Sequence, residues 1–379
     1  MSRKGRRRTL VVTNDFPPTV GGIQSYIRDF LDTQDPEGIT VFASTQDTEA
    51  AAVFDATRDY EVIRWPRSVM LPTPTTAQAM AEIIKAREID NVWFGAAAPL
   101  ALMARSAREA GATRIIASTH GHEVGWSMLP GSRQLLRRIG EEVDTVTYIS
   151  DYTLTRFRSA FGPHPTFQHL PSGVDGDIFQ PTSPEQQERT RERWGIPAQT
   201  PVISCISRLV PRKGQDKLIE AMPAVLKVHP EAVLVIVGGG RIEEKLRRQA
   251  ATLGGSVRFL GRLEHAEMID VLAASDIFAM PARTRGGGLD VEGLGIVYLE
   301  AQACGVPVIA GTSGGAPETV TPQTGLVVDG RDVTKLSAAI AGLLADPARR
   351  KAMGVAGREH VENTWLWEFL GARLTQILN

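Results

Sequence analysis

Short runs of β-branched and aliphatic residues recur along the chain, and between them apolar residues return every three or four positions. The first run, Thr9–Thr13, has the length and composition of a buried parallel strand. A Pro-Pro turn and Gly21-Gly22 follow it, and then Ile23, Tyr26, Ile27 and Phe30 fall at helical spacing. The same pattern predicts strands at 39–43, 62–64, Asn91–Phe94, Arg114–Ser118 and 145–149, with helices between several of them. Strands alternating with helices predict an α/β fold with a parallel, doubly wound sheet.

The pattern breaks between 163 and 200. PHPTFQHLPSGVDGDIFQPTSPE is rich in Pro, Gly, Ser and Asp, and a charged stretch then runs to Trp194. A linker and a short helix are expected there. A second α/β series starts at 201–207 and continues through 232–237, 257–260, Ile277–Met280 and 306–310. Two Rossmann-like halves of similar size result. The end of the chain, with Trp365, Leu366, Phe369, Leu370, Leu374, Ile377 and Leu378, reads as one amphipathic helix.

The 379 residues suit two domains. Lys and Arg number 42 against 43 Asp and Glu, so the whole molecule is not a polyanion binder and no nucleic-acid partner is expected. The longest mostly apolar run, 92–104, is broken by Gly95 and Pro99 and falls short of the ~20 residues of a membrane span. The opening Arg3, Lys4, Arg6, Arg7 and Arg8 lead straight into a strand, which is neither a signal nor a transit peptide. Cys205 and Cys304 sit in apolar contexts without metal-ligand spacing and read as reduced core residues of a cytoplasmic protein.

Ligands of open α/β sheets gather at the carboxyl ends of the strands. Four features fall there. Gly21 and Gly22 open a helix, whose first amides can meet an anion, although the spacing is not a dinucleotide finger. Arg208 and Lys213, in SRLVPRKG, put two cations after an apolar strand, as a phosphate site requires. Glu292 and Glu300 flank GLGIVYL; the first belongs on a loop and the second inside a helix, where carboxylates can accept from ribose or sugar hydroxyls. His120, in THGHE, can hydrogen-bond a substrate, whereas His122-Glu123 lacks the HExxH continuation of a zinc hydrolase. The run VGGG at 237–240 imitates a dinucleotide finger but has Glu243 where the third glycine belongs. Each feature alone is compatible with an ordinary turn or a solvated surface.

Together and in this order, FPPTVGGIQSY, SRLVPRKG, SVRFLGRLEH and the E-x7-E segment ending in EAQACGVPVIAGTSGGAPE resemble the retaining GT-B glycosyltransferases of family 4. The resemblance covers nearly the whole chain. TNDFPPTVGGIQSYI, STHGHEVGW and ARTRGGGLDVEGLGIVYLEA carry it closest to the members that move mannose from GDP-mannose to phosphatidylinositol mannoside lipids. It implies two Rossmann-like domains facing across a central cleft: 1–172 with 363–379 on the acceptor side, and 173–362 for the nucleotide sugar. Interdomain closure would hinge at the 163–195 linker and the last helix.

The resemblance also implies roles. Arg208 and Lys213 would bind the diphosphate, with Gly21 and Gly22 approaching it. Glu300 would take the ribose hydroxyls, and Glu292 with the backbone of Leu294, Gly295, Ile296 and Val297 would face sugar and phosphates. Backbone near Arg262 and Leu263 would read the base, and His120 would touch the mannose. No metal and no cofactor beyond the donor is expected. A lipid acceptor implies peripheral binding at the cytoplasmic face of the plasma membrane; Arg133, Leu136, Arg137 and Arg138 on one helix are the expected contacts, and Asp15, Arg64 and Arg67 the expected acceptor ligands. Alternatives are a UDP- or ADP-sugar transferase with a soluble acceptor, a GT-B epimerase, and a non-catalytic nucleotide-sugar binder.

Overall fold

In a computed structural model, which describes residues 7–379, the strands form two wholly parallel sheets. The chain divides into two compact units: one runs to Ser172 and takes back Trp367–Asn379, the other is Gly173–Leu366.

The first sheet contains β1 (Thr9–Thr13), β2 (Ile39–Ser44), β3 (Glu61–Trp65), β4 (Asn91–Phe94), β5 (Arg114–Ser118), β6 (Thr145–Tyr148) and β7 (Thr166–His169), in the order 3-2-1-4-5-6-7. The second contains β8 (Val202–Ile206), β9 (Val233–Val237), β10 (Val257–Gly261), β11 (Ile277–Met280), β12 (Val308–Gly311) and β13 (Gly325–Val328), in the order 10-9-8-11-12-13. The order reverses between β1 and β4, and again between β8 and β11. At such switch points the loops leave the sheet in opposite directions and open a crevice.

Central strands are buried on both faces because helices cover each side; β1, β8 and β9 carry no exposed residue. The core of the first sheet packs Leu10, Phe42, Phe94 and Ile115 against Met80, Leu136, Ile139 and Phe157 from its helices. Cys205 and Cys304 are free thiols in the second unit, and burial pushes both up to about 12.

Three expectations need correction. The stretch taken for a linker from 163 onward carries β7, and β13 was not anticipated at all. Both are edge strands; β7 (TFQH) has exposed positions and lacks the apolar run that marks a central strand, whereas β13 (GLVV) is apolar but only four residues long between turn residues. The last helix is Trp367–Leu378, separated from the helix Pro347–Thr364 by Trp365 and Leu366.

Candidate functional site

In the Gly173–Leu366 unit the loop leaving β8 is locked to the loop leaving β9. Leu209 N–H donates to the Gly239 carbonyl at 3.0 Å, and the Gln215 amide donates to Ser207 Oγ and to the Arg208 carbonyl. A Cβ on Gly238 would lie 2.1 Å from the Ser207 carbonyl oxygen, and one on Gly240 2.3 Å from that of Leu209. The glycine run at 238–240 therefore serves loop-to-loop packing rather than a dinucleotide. It leaves Arg208 exposed at the strand end, without an ion pair among the described residues.

Lys213 is treated differently. Gly214, at φ +83, brings this turn so close to β11 that a Cβ would sit 2.3 Å from the Pro281 carbonyl oxygen. Lys213 is thereby buried, and its Nζ meets Glu292 Oε2 at 2.8 Å. Arg212 stands 3.5 Å from the same oxygen and 3.5 Å from Asp290. The loop after β12 closes over Glu292: Ser313 Oγ accepts from its N–H, and its carbonyl accepts from the Gly315 N–H. Burial raises the Glu292 pKa, but the charges of Lys213 and Arg212 outweigh it and hold the carboxyl below its ordinary range. Glu292 is thus an anion in a pocket of cations.

Gly295, at φ +88, starts the helix Ile296–Ala303 with no side-chain cap, so its first amides, including those of Ile296 and Val297, need partners from outside the helix. Leu294 is buried beneath this turn and Glu300 is partly exposed on the helix. Arg262, exposed after β10, lies over Gly239, where a Cβ would be 2.8 Å from its Nε; Leu263 follows, partly exposed. Arg212, Asp290 and Ser313 were not singled out from sequence. Arg212 lies inside a motif read for its neighbours, and Ser313 reaches Glu292 only through the β12 loop.

In the other unit, β1, β4 and β5 end together around His120. Nε2 of His120 lies 2.6 Å from the Gly95 carbonyl oxygen. A carbonyl can only accept, so this nitrogen carries the proton and Nδ1 of the neutral ring is left to accept one. Tyr26 packs edge-on to the ring at 4.8 Å. Burial holds the His120 pKa below its usual value, although Glu123 opposes the shift. Tyr26, whose hydroxyl donates to the Leu170 carbonyl, is kept un-ionised by its own burial. Asp15 accepts from the Gln24 side-chain amide at 3.0 Å, and its backbone N–H donates to Thr13 Oγ1. A Cβ on Gly22, at the start of the helix Gly22–Asp32, would meet nothing within 4 Å, whereas one on Gly21 would lie 2.3 Å from Gln24 Oε1.

The loop after β3 is pinned by Asn14, which exchanges two hydrogen bonds with the backbone of Met70, and by Gln46, which donates to the Ser68 carbonyl. Arg67 rides exposed on this loop. Arg64 does not join it: its guanidinium grips both oxygens of Asp55 at 2.9 and 2.7 Å and donates to the Ser44 and Pro17 carbonyls. It is a structural clamp whose guanidinium is already engaged within this unit, rather than the free cation expected for an acceptor.

The helix Pro130–Glu142 corrects another expectation. Leu136, Ile139 and Val143 are completely buried, so the apolar face of this helix packs on the sheet and Leu136 cannot touch a membrane. Arg133, Arg137 and Arg138 are all exposed, and Arg133 also donates to the Ser127 carbonyl and to Ser159 Oγ. Arg3, Lys4 and Arg6 lie outside the described residues. Among the described residues no helix is long and apolar enough to cross a membrane.

Residues 20–178 match the family model "Glycosyltransferase Family 4", and residues 186–360 match "Glycosyl transferases group 1". The fold is similar to that of Anabaena Alr3699/HepE in complex with UDP, with a TM-score of 0.81 over 98% of this chain and 99% of that one, at 21% identity. The chain is 72% identical over 372 residues to the GDP-mannose-dependent monoacylated alpha-(1-6)-phosphatidylinositol monomannoside mannosyltransferase of Corynebacterium glutamicum, covering 98% of each. It is 54% identical over 375 residues to the GDP-mannose-dependent alpha-(1-6)-phosphatidylinositol monomannoside mannosyltransferase of Mycolicibacterium smegmatis, again over 98% of each. A chain that shares more than half of its residues with such enzymes over almost its whole length belongs to their family, the GT-B glycosyltransferases of family 4.

Proposed function

We propose that this protein transfers mannose from GDP-mannose to a phosphatidylinositol monomannoside lipid, giving the dimannoside. The observation that carries the reading is the 72% identity to a relative of that name, over 98% of both chains. The geometry supports it by separating an exposed cation, Arg208, from the buried Lys213–Glu292 pair. Arg208 and Lys213 take the diphosphate. The amides of Leu294, Gly295, Ile296 and Val297 and the carboxylate of Glu292 face phosphate and sugar, Glu300 takes the ribose, and the backbone at Arg262 and Leu263 reads the base. Gly21 and Gly22 admit the phosphates, and His120 accepts a mannose hydroxyl at Nδ1. Asp15 and Arg67 remain for the acceptor.

Transfer proceeds with retention by attack on the face that the diphosphate leaves, the departing phosphate taking the acceptor proton. The fixed cations stabilise the charge that builds on GDP as the glycosidic bond breaks, without a metal. Binding is peripheral, at the cytoplasmic face of the plasma membrane, with Arg133, Arg137 and Arg138 toward anionic lipid.

The test is transfer of radiolabelled mannose to a lipid extract containing phosphatidylinositol monomannoside, with UDP-glucose as a parallel donor. Label in a dimannosylated lipid from GDP-mannose alone is expected. Tight GDP binding without lipid labelling would move the acceptor to a soluble molecule. For the membrane component, Arg137→Glu/Arg138→Glu should lose sedimentation with anionic vesicles while keeping GDP affinity; unchanged sedimentation removes that contact.

A further inference from the structure

The carboxylate of Glu123 has no part in the chemistry above, yet its side chain is completely buried. Glu123 opens the short helix Glu123–Met128 directly after the loop that carries His120. Its Oε2 accepts from the backbone N–H groups of His120 at 3.0 Å and Gly121 at 3.1 Å. Its Oε1 makes no hydrogen bond and faces Nε2 of His122 at 3.1 Å. No Lys or Arg among the described residues pairs with it. A buried carboxylate held by two backbone amides, with an imidazole beside it, carries a desolvation cost that a neutral cap would avoid. Its surroundings concern His120 on every side: the amide, the neighbouring amide, and the ring of His122, stacked at 6.4 Å.

We propose that Glu123 is a positioning residue for mannosyl transfer, gathering the His120 and Gly121 amides so that the His120 ring stays on the Gly95 carbonyl with Nδ1 presented to the sugar. The inference rests on the proposed reading, in which His120 touches the mannose. The charged and titratable groups facing His120 are Asp15 from the loop after β1, His122 from its own loop, and Glu123; Tyr26 packs on it from the helix Gly22–Asp32. Glu123 and Asp15 raise the His120 pKa against the larger effect of burial. Removing the Glu123 charge therefore lowers it further. Transfer uses the neutral ring, so the acid limb of kcat/KM must move to lower pH.

The experiment compares wild type with Glu123→Gln and Glu123→Asp. Glu123→Gln keeps one acceptor oxygen but loses the charge; Glu123→Asp keeps the charge but shortens its reach. Glu123→Gln should lower kcat about tenfold, leave KM for GDP-mannose within about twofold, and move the acid limb down by about half a pH unit. Glu123→Asp should lower kcat while leaving the limb in place. Histidine NMR of the unliganded protein supplies a readout free of activity: the His120 titration should move down in Glu123→Gln. An unmoved His120 titration, or a kcat loss matched by an equal loss of GDP-mannose affinity, would overturn the inference. Wild type without mannosyl transfer would instead sink the functional reading, and the NMR comparison would still decide whether Glu123 acts on His120.

Discussion

Arg208 and Lys213 end the same turn, and their surroundings make them different tools. Arg208 is exposed, so Arg208→Ala should weaken GDP binding by about 1.5–3 kcal/mol, the scale of charged hydrogen bonds, with little change in stability. Titration calorimetry and a melting curve check both halves of that statement. Lys213 is the counter-ion of a buried carboxylate, so Lys213→Ala should also destabilise the fold. Breaking a buried pair costs about 3–5 kcal/mol, and the lower end applies because Arg212 remains at 3.5 Å. Glu292 adds a pH signature. Its folded pKa lies below the ordinary carboxylate value, so its stabilisation is complete above that value and is lost as pH falls through the folded one. The urea midpoint should hold from neutrality down to about pH 5 and fall below about pH 4, less steeply in Glu292→Gln. Equal slopes in both proteins would remove the argument. In turnover, Glu292→Ala should lower kcat more than GDP affinity; equal losses would mean that it binds GDP rather than the transferring sugar.

The helix Pro130–Glu142 shows how an element can mislead when read alone. Its apolar stripe and its arginines fit a lipid surface and a protein core equally well, because periodicity reports that a face is apolar and not what covers it. Here the sheet covers it. Leu136→Ala should therefore cost about 2–5 kcal/mol in urea denaturation, as truncation in a packed core does. Gly140, on the same helix, would put a Cβ 1.9 Å from the Phe161 carbonyl oxygen, so Gly140→Ala should force the neighbouring helix Asp151–Phe161 away. A melting temperature unchanged in both variants would show that this packing is looser than described. The strand β7, which escaped prediction, has a related cause. An edge strand can leave one face and one rim in water, and its sequence, here TFQH, then looks like a loop.

At the scale of the whole molecule, each unit gathers its candidate site residues at the carboxyl ends of its own strands. If the Gly173–Leu366 unit binds GDP, the nucleotide at 100 times its Kd should add about 2.7 kcal/mol of stability. Hydrogen exchange should slow mainly at 207–214 and 292–300. Protection confined to the other unit would reassign the donor site. The alternation of apolar runs and helical periods, the glycines at turns and the order of the short motifs were enough to determine two α/β halves and the positions of most central strands. They sufficed because burial on both faces and glycine-dependent turns leave a local mark in composition. Tertiary structure alone decided that Arg64 is spent on Asp55, that Lys213 is buried on Glu292, that Leu136 faces the core, and that Glu123 sits beneath His120. A side chain's partner and its exposure depend on residues distant in sequence, which only the folded chain brings within reach.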